Sequence, residues 1–320
     1  MLKIGLIGFG GGSILIPLLH KESVGIFVDE EAFYEDVLIA SVSPGALPVE
    51  IASGIGYRQA GRLGMLIGAI AMALPGTVAT ILLMECGVLD LPWIHFISSA
   101  VLLWVLWLLI RFVLRTPKKR IIALVFAVTC GKNLWKILSL PGNALYLTSI
   151  QVYMIAFVIQ LFKGKLKLSP DRAVVEDLLF LLFPVAAMTI LFPDVIGYIY
   201  KGALSVIISF GGGDAYLTVT EAMFIETGMI DKSVFYGEIV PLVNMLPGSI
   251  LCKTLPAIGF VIGGRKLAIL GFWMTVVMSC SAFRAAKMFK FEQWTWIRPI
   301  VAGLMCTVAL SLILQIFGIA

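Results

Sequence analysis

Residues 61–84 read GRLGMLIGAIAMALPGTVATILLM, an apolar run with a single charge, Arg62. It is long enough to cross the hydrocarbon core of a bilayer, about 20 helical residues thick. Further apolar runs cover residues 94–110, 121–140, 144–162, 178–192, 267–283 and 300–319. Backbone groups in lipid must be satisfied internally, so unbroken runs of this kind predict helices. A membrane β-barrel would show short segments of alternating polarity, and the sequence has none. The chain of 320 residues is 60% hydrophobic and 13% charged, whereas an ordinary soluble domain carries about a quarter charged residues. Too few charges remain to cover a water-facing surface. The expected fold class is therefore an all-α, polytopic transmembrane helical bundle.

The first residues, Met1-Leu2-Lys3-Ile4, enter an apolar stretch at once, but Gly10–Gly12 and Pro17 interrupt it and no small-residue cleavage site follows. That predicts a retained membrane segment rather than a signal peptide. Cys86, Cys130, Cys252, Cys280 and Cys306 stand singly and without metal spacing. They read as buried apolar side chains. His20 and His95 are isolated and read as structural. No metal, cofactor or catalytic set is expected, so the chain is not read as an enzyme.

The net charge of +5 is unevenly spread. Basic clusters occur at Arg111–Arg120, at Lys163–Arg172 and at Arg284–Arg298. Short basic loops stay cytoplasmic, and ordinary topology accounts for them without a nucleic-acid partner. The loop starting at Glu85 falls on the other side.

Comparison of the chain with itself is more informative. Phe9-Gly10-Gly11-Gly12 recurs as Phe210-Gly211-Gly212-Gly213. Asp29 and Phe33-Tyr34 recur as Asp231 and Phe235-Tyr236, and Pro44-Gly45 as Pro247-Gly248. Gly61-Arg62 matches Gly264-Arg265, and Trp93-Ile94 matches Trp296-Ile297. Ordered matches of this kind indicate an internal duplication, with halves at 1–165 and 173–320. Such halves commonly face opposite ways around a midplane site. Their orientation depends on the crossings between matched positions. About six are counted from Arg62 to Arg265, plus an ambiguous hairpin, 33–57 and its counterpart 235–260. One crossing by that hairpin makes the halves inverted and a re-entrant hairpin makes them parallel; the basic loops favour inversion.

Each half carries two interrupted segments, one at its glycine triplet and one at its Pro-Gly pair. Three glycines together disfavour continuous helix, and proline suits the first turn of a helix. A helix starting inside the membrane at Pro44 or Pro247 would present free N–H groups to an anion. Interrupted segments at matched positions are a pointer to a transport site. The candidate substrate-binding residues are Gly10, Gly11, Gly12, Ser43, Pro44, Gly45, Gly211, Gly212, Gly213, Asn244, Pro247, Gly248 and Lys253. Glu50, Asp214 and Glu221 lie in apolar context, where ionisable groups are expensive, and are candidates for coupling to protons. Gly54, Gly64, Gly68 and Gly271 read as helix-packing positions. Arg58, Arg62 and Arg265 read as side chains that snorkel to the interface.

With these motifs the sequence resembles the chromate transporter family. The resemblance rests on Phe9–Gly12 with Pro17-Leu18-Leu19, on Asp29–Glu31 with Phe33, and on Ser43-Pro44-Gly45. It continues through Gly56-Tyr57-Arg58-Gln59-Ala60-Gly61 and Pro75, and through Phe210–Gly213, Asp231, Phe235, Pro247-Gly248 and Gly259 in the second half. Ala46, Glu50, Asp214 and Thr218 depart from the family pattern. The resemblance implies a multi-pass protein of a bacterial inner membrane and a small inorganic oxyanion substrate, chromate or sulfate. The bilayer is the other expected partner, and a homodimer fits the plan. An organic anion or a cation is the alternative cargo; a membrane-embedded enzyme or a scaffold is the alternative of another class. No nucleotide-binding loop is present to support an ATP-driven pump.

Overall fold

A computed structural model describes residues 1–7, 15–87, 118–130, 166–168, 171–209, 213–291 and 299–300, with isolated helical positions between 100 and 114, at 155 and between 303 and 313. The described elements begin with α1 (Leu2–Ile7), α2 (Leu15–Ser23), α3 (Glu30–Val42) and α4 (Leu47–Glu85). After them come α5 (Lys119–Thr129), β1 (Leu166–Leu168), α6 (Arg172–Leu191) and α7 (Ile196–Ile207). α8 (Gly213–Thr220) continues into a π-helical stretch, Glu221–Ile225. Lys232–Val234, a second π-helical stretch Phe235–Ile239, and Val240–Met245 form the rod α9. α10 (Ile250–Ala286) and β2 (Phe289–Phe291) complete the list. The all-α expectation for a membrane protein holds, with one short antiparallel strand pair added.

α4 and α10 are not straight rods. Ala60 and Gly61 leave helical geometry (φ −145°, ψ 29°; φ 59°, ψ −142°), and so do Gly263 and Gly264 (φ −155°, ψ 27°; φ 67°, ψ −155°). The two breaks occupy matched positions and have nearly the same dihedrals. Gly61 and Gly264 take the positive φ that only glycine adopts without strain. Each break turns the chain back on itself. Gly64 lies against the Gly56 carbonyl and Gly68 against the Ala52 carbonyl; in one straight helix residues 52 and 68 would be about 24 Å apart. In α10, Gly259 lies against Leu267 and Gly271 against Leu255. The glycines expected to serve packing do so.

Each of these helices therefore has a short arm and a long arm. The short arms, 47–59 and 250–262, extend about 20 Å, and the long arms, 62–85 and 265–286, about 33–36 Å. Only the long arms match a hydrocarbon core of about 30 Å. α6 is the third described helix long and apolar enough to cross. Along the long arm of α4, Leu63, Ile67, Leu74, Val78 and Leu82 are exposed, while Met65, Ala69, Met72, Thr77 and Thr80 are buried. This apolar-out, mixed-polarity-in pattern suits lipid outside and a partner helix inside. The long arm of α10 is buried along most of its length and forms the centre of the described bundle.

The two long arms run in opposite senses. Arg265 opens the α10 arm beside Glu85, which closes the α4 arm. At the other end, Arg62 and Arg284 meet the same carboxylate, Asp177 of α6. The strands β1 and β2 pair Lys167 with Lys290, which brings residues of the second and third basic clusters side by side.

The segments before the short arms also fold back. Ser43 reaches Glu50, and Arg58 reaches Asp36 and Glu35, so α3 and the short arm of α4 form a hairpin with its tip at residues 43–46. Lys3 pairs with Glu22 at 2.8 Å across α1 and α2. Ser205 meets Tyr216 and Lys201 meets Thr227 across α7 and α8. Residues 196–207 and 213–227 therefore lie side by side rather than end to end. Residues 10–12 and 211–212 of the glycine triplets lie outside the described residues.

Candidate anion and coupling site

The Pro-Gly tips are placed by the opposite half. The helices expected to start at Pro44 and Pro247 start instead at Leu47 and Ile250. The prolines belong to the non-helical tips, where Gly45 (φ 136°) and Gly248 (φ 90°) reverse the chain. The Gly45 N–H donates to the Ser209 carbonyl at 3.2 Å, and Ala46 N–H donates to Ser279 Oγ at 3.2 Å. The second tip rests on the α4 long arm, where a Cβ at Gly76 would collide with the Pro247 carbonyl and touch the Lys253 stem. Gly248 approaches Gly76 and the Gly5 carbonyl. Gly76 and Ser279 are themselves matched positions, offset like Pro44 and Pro247. Each lies about 21 Å along its long arm, well inside the span. Two short hairpins therefore enter from opposite ends and touch the middle of the other half's crossing helix.

Glu50 and Lys253 occupy the same place in these hairpins. Both are fully buried, at 0% and 1% exposure. Glu50 Oε2 accepts from Ser43 Oγ at 2.7 Å. Lys253 Nζ donates to the Leu246 carbonyl at 2.5 Å, and Leu246 is the counterpart of Ser43. In each hairpin a charged side chain one helical step inside the short arm clips the residue that opens the tip. The sign of the charge is opposite in the two. Glu50 Oε1 has no hydrogen-bond partner among the described residues. It packs so closely on Gly45 that any Cβ there would collide with it. A buried carboxyl with a spare oxygen is equipped to hold a cation as small as a proton, and a buried ammonium to hold an anion.

Of the other candidates, Asn244 is half-buried and spends its amide on the Val240 carbonyl at 2.8 Å within α9. Gly213 and Asp214 open α8, close in sequence to Ser209, which meets Gly45. Glu221 begins the π-helical stretch after α8, and such stretches mark irregular, often functional, helix positions. Gly10, Gly11, Gly12, Gly211 and Gly212 lie outside the described residues, as does His95. His20 packs edge-on to Phe33 at 5.2 Å, as a structural residue does. Cys130, Cys252 and Cys280 are buried as expected, but Cys86 is exposed.

Sequence reasoning missed a second group. Asp36 and Asp177 are fully buried and were not singled out. Asp36 receives Arg58 at 3.0 Å and Lys287 at 3.3 Å; Asp177 receives Arg62 at 2.6 Å and Arg284 at 2.5 Å. Arg58 and Arg62, read as snorkelling, are held in these networks. Arg265 likewise pairs with Glu85. Arg62 and Arg265 keep 41% and 74% of their side chains exposed while making these pairs, as arginines that reach the interface do.

A sequence model of the family described as "Chromate transporter" matches residues 1–199 and 199–320. "Uncharacterized transporter YwrB" of Bacillus subtilis is 34% identical over 25% of the chain and 42% of its own length. "Uncharacterized transporter YwrA" of the same organism is 35% identical over 25% of the chain and 46% of its own length. The "Probable chromate transport protein" of Synechococcus elongatus is 32% identical over 26% of the chain and 21% of its own length. The matched part thus spans under half of each relative. No solved structure matches the chain. With its apolar crossing helices and a family match along its whole length, this multi-pass membrane protein belongs to the chromate transporter family.

Proposed function

We propose that the chain is a secondary transporter of a small inorganic oxyanion of the chromate or sulfate kind, built from two inverted halves in a bacterial inner membrane. The observation that carries this reading is the pair of matched hairpin tips that meet the middle of the opposite crossing helices, one armed with Glu50 and the other with Lys253. Broken segments that meet at mid-depth are the architecture of alternating-access sites. In this reading the Lys253 tip binds the anion, helped by the N–H groups that open the short arm at Ile250. The Glu50 tip carries the coupling proton, and Ser43 holds its carboxyl in place. Movement of one half against the other would alternately uncover the two tips.

The test is uptake of labelled chromate and sulfate into proteoliposomes, with and without an imposed pH gradient. Wild-type protein gives saturable flux that the gradient stimulates. Lys253→Met abolishes flux, and Glu50→Gln leaves flux that no longer responds to pH. Gradient-stimulated flux through both variants at the wild-type level would sink this assignment of the two tips. No flux of either ion through folded wild-type protein would direct the search to organic anions or cations.

A further inference from the structure

At the face that carries the basic loops, a cavity of about 600 Å³ opens between the α2–α3 turn, the short arm of α4 and the end of α10. Its lining includes Phe27, Asp29, Tyr57, Arg58, Arg284 and Lys287. Three of these are cations, yet their acidic partners are shared. Arg58 and Lys287 share buried Asp36, and Arg284 shares buried Asp177 with Arg62. The remaining carboxylates of the network, Glu35 and Glu176, are 57% and 50% exposed and stand further out. Asp29 spends one oxygen on capping α3 through Ala32 N–H. The network as a whole is charge-balanced, but among the residues that line the cavity itself Arg58, Arg284 and Lys287 face the single carboxylate Asp29, with the paired carboxylates behind them.

Arg284 makes the second, independent point. It is 5% exposed, its guanidinium lies 4.1 Å over the Tyr57 ring, and its Nε has no hydrogen-bond partner among the described residues. A buried guanidinium N–H without an acceptor is costly, and an incoming oxygen acceptor relieves the cost. The cavity is also one-sided. Offset by the repeat, Tyr57, Arg58, Arg284 and Lys287 correspond to Phe260, Val261, Ile81 and Met84, so the opposite face has no counterpart. Lys287 lies just before β2, whose pairing with β1 joins the basic loops; short basic loops are cytoplasmic.

We infer that this cavity is a second oxyanion site, a cytoplasm-facing vestibule in which Arg58, Arg284 and Lys287 gather a small tetrahedral anion ahead of the buried tips. The inference rests on the transport reading only for the identity of the anion. Binding is electrostatic, with the Arg284 Nε–H that lacks an acceptor donating to one anion oxygen and the Lys287 ammonium facing another. Asp36 and Asp177 hold the empty cations in place and release part of that bond when the anion arrives.

A flux-independent experiment tests it. Phe27→Cys is introduced in protein with Cys86 and Cys306 changed to serine, and reaction with an anionic and a cationic methanethiosulfonate reagent is timed in detergent. The vestibule predicts that the anionic reagent reacts at least about tenfold faster relative to free thiol, because a positive cleft concentrates it. Millimolar sulfate slows that reaction, and Lys287→Gln weakens both effects while raising the cationic reagent's rate, since one potential acts with opposite sign on the two reagents. Equal relative rates for the two reagents, or no protection by sulfate when its concentration is raised over about two decades at constant ionic strength, would overturn the site. Protection without transport would leave the vestibule standing and remove the transport reading instead.

Discussion

The α3–α4 hairpin and the α9–α10 hairpin share a backbone plan and differ in one charge. Both turn at a Pro-Gly tip, both continue into a short arm of about 20 Å, and both reverse again at a glycine with φ near 60°. At the position that clips the tip, one uses Glu50 on a serine hydroxyl and the other Lys253 on a carbonyl. The two matched tips thus carry opposite charges on one backbone plan, which in the proposed reading would give an anion and a proton separate seats. The difference teaches that duplication supplied the geometry and divergence the chemistry.

The sharpest way to break this comparison is to remove the basic tip. Lys253→Met is expected to reduce oxyanion flux by more than about 100-fold, equivalent to about 2.7 kcal/mol of lost stabilisation, while the protein stays folded by gel filtration in detergent. Glu50→Gln should cost less, about tenfold in gradient-driven uptake, and should abolish the difference between flux with and without a pH gradient. Retention of that difference would move the coupling group elsewhere, to Asp214 or Glu221.

Contacts between the halves give the next effect. Gly76→Val inserts methyl groups against the Pro247 carbonyl and the Lys253 stem. Overpacking of that kind costs about 1–3 kcal/mol and should lower the thermal midpoint in detergent, with flux falling in parallel. The smallest effect belongs to the outer turns. Nothing lies within 4 Å of a Cβ built at Gly61 or Gly264, so Gly61→Ala and Gly264→Ala should each cost about 1–2 kcal/mol, the backbone strain of a side chain at positive φ with ψ of −142° or −155° and no packing clash besides. Equal losses at the two turns would support their equivalence; a neutral change at one would break it.

Much of this plan is legible in the sequence. The apolar runs, the glycine triplets, the Pro-Gly pairs and the offset between halves gave the membrane class and the interrupted segments. The opposition of Glu50 and Lys253 was harder to see, because self-comparison rewards identity and a Glu–Lys pair registers as divergence. The side-by-side packing of 196–207 with the segment after Gly213 was hidden for another reason. Apolar composition is the same whether two segments return or continue, and only contacts such as Ser205 with Tyr216 distinguish the two. Asp36 and Asp177 gave no signal, since a carboxylate beside an apolar run does not reveal its cation, whether 22 residues away, as Arg58 is from Asp36, or 115, as Arg62 is from Asp177.

The central claim is that the two halves enter the membrane from opposite sides, and one labelling experiment addresses it directly. In protein with Cys86 changed to serine, Ala60→Cys marks the first outer turn and Lys266→Cys the second, both at exposed positions. An impermeant maleimide is applied to sealed right-side-out and inside-out vesicles. The account requires Ala60→Cys to label from the cytoplasmic side, with the basic loops, and Lys266→Cys from the other. Labelling of both from the same side would contradict it.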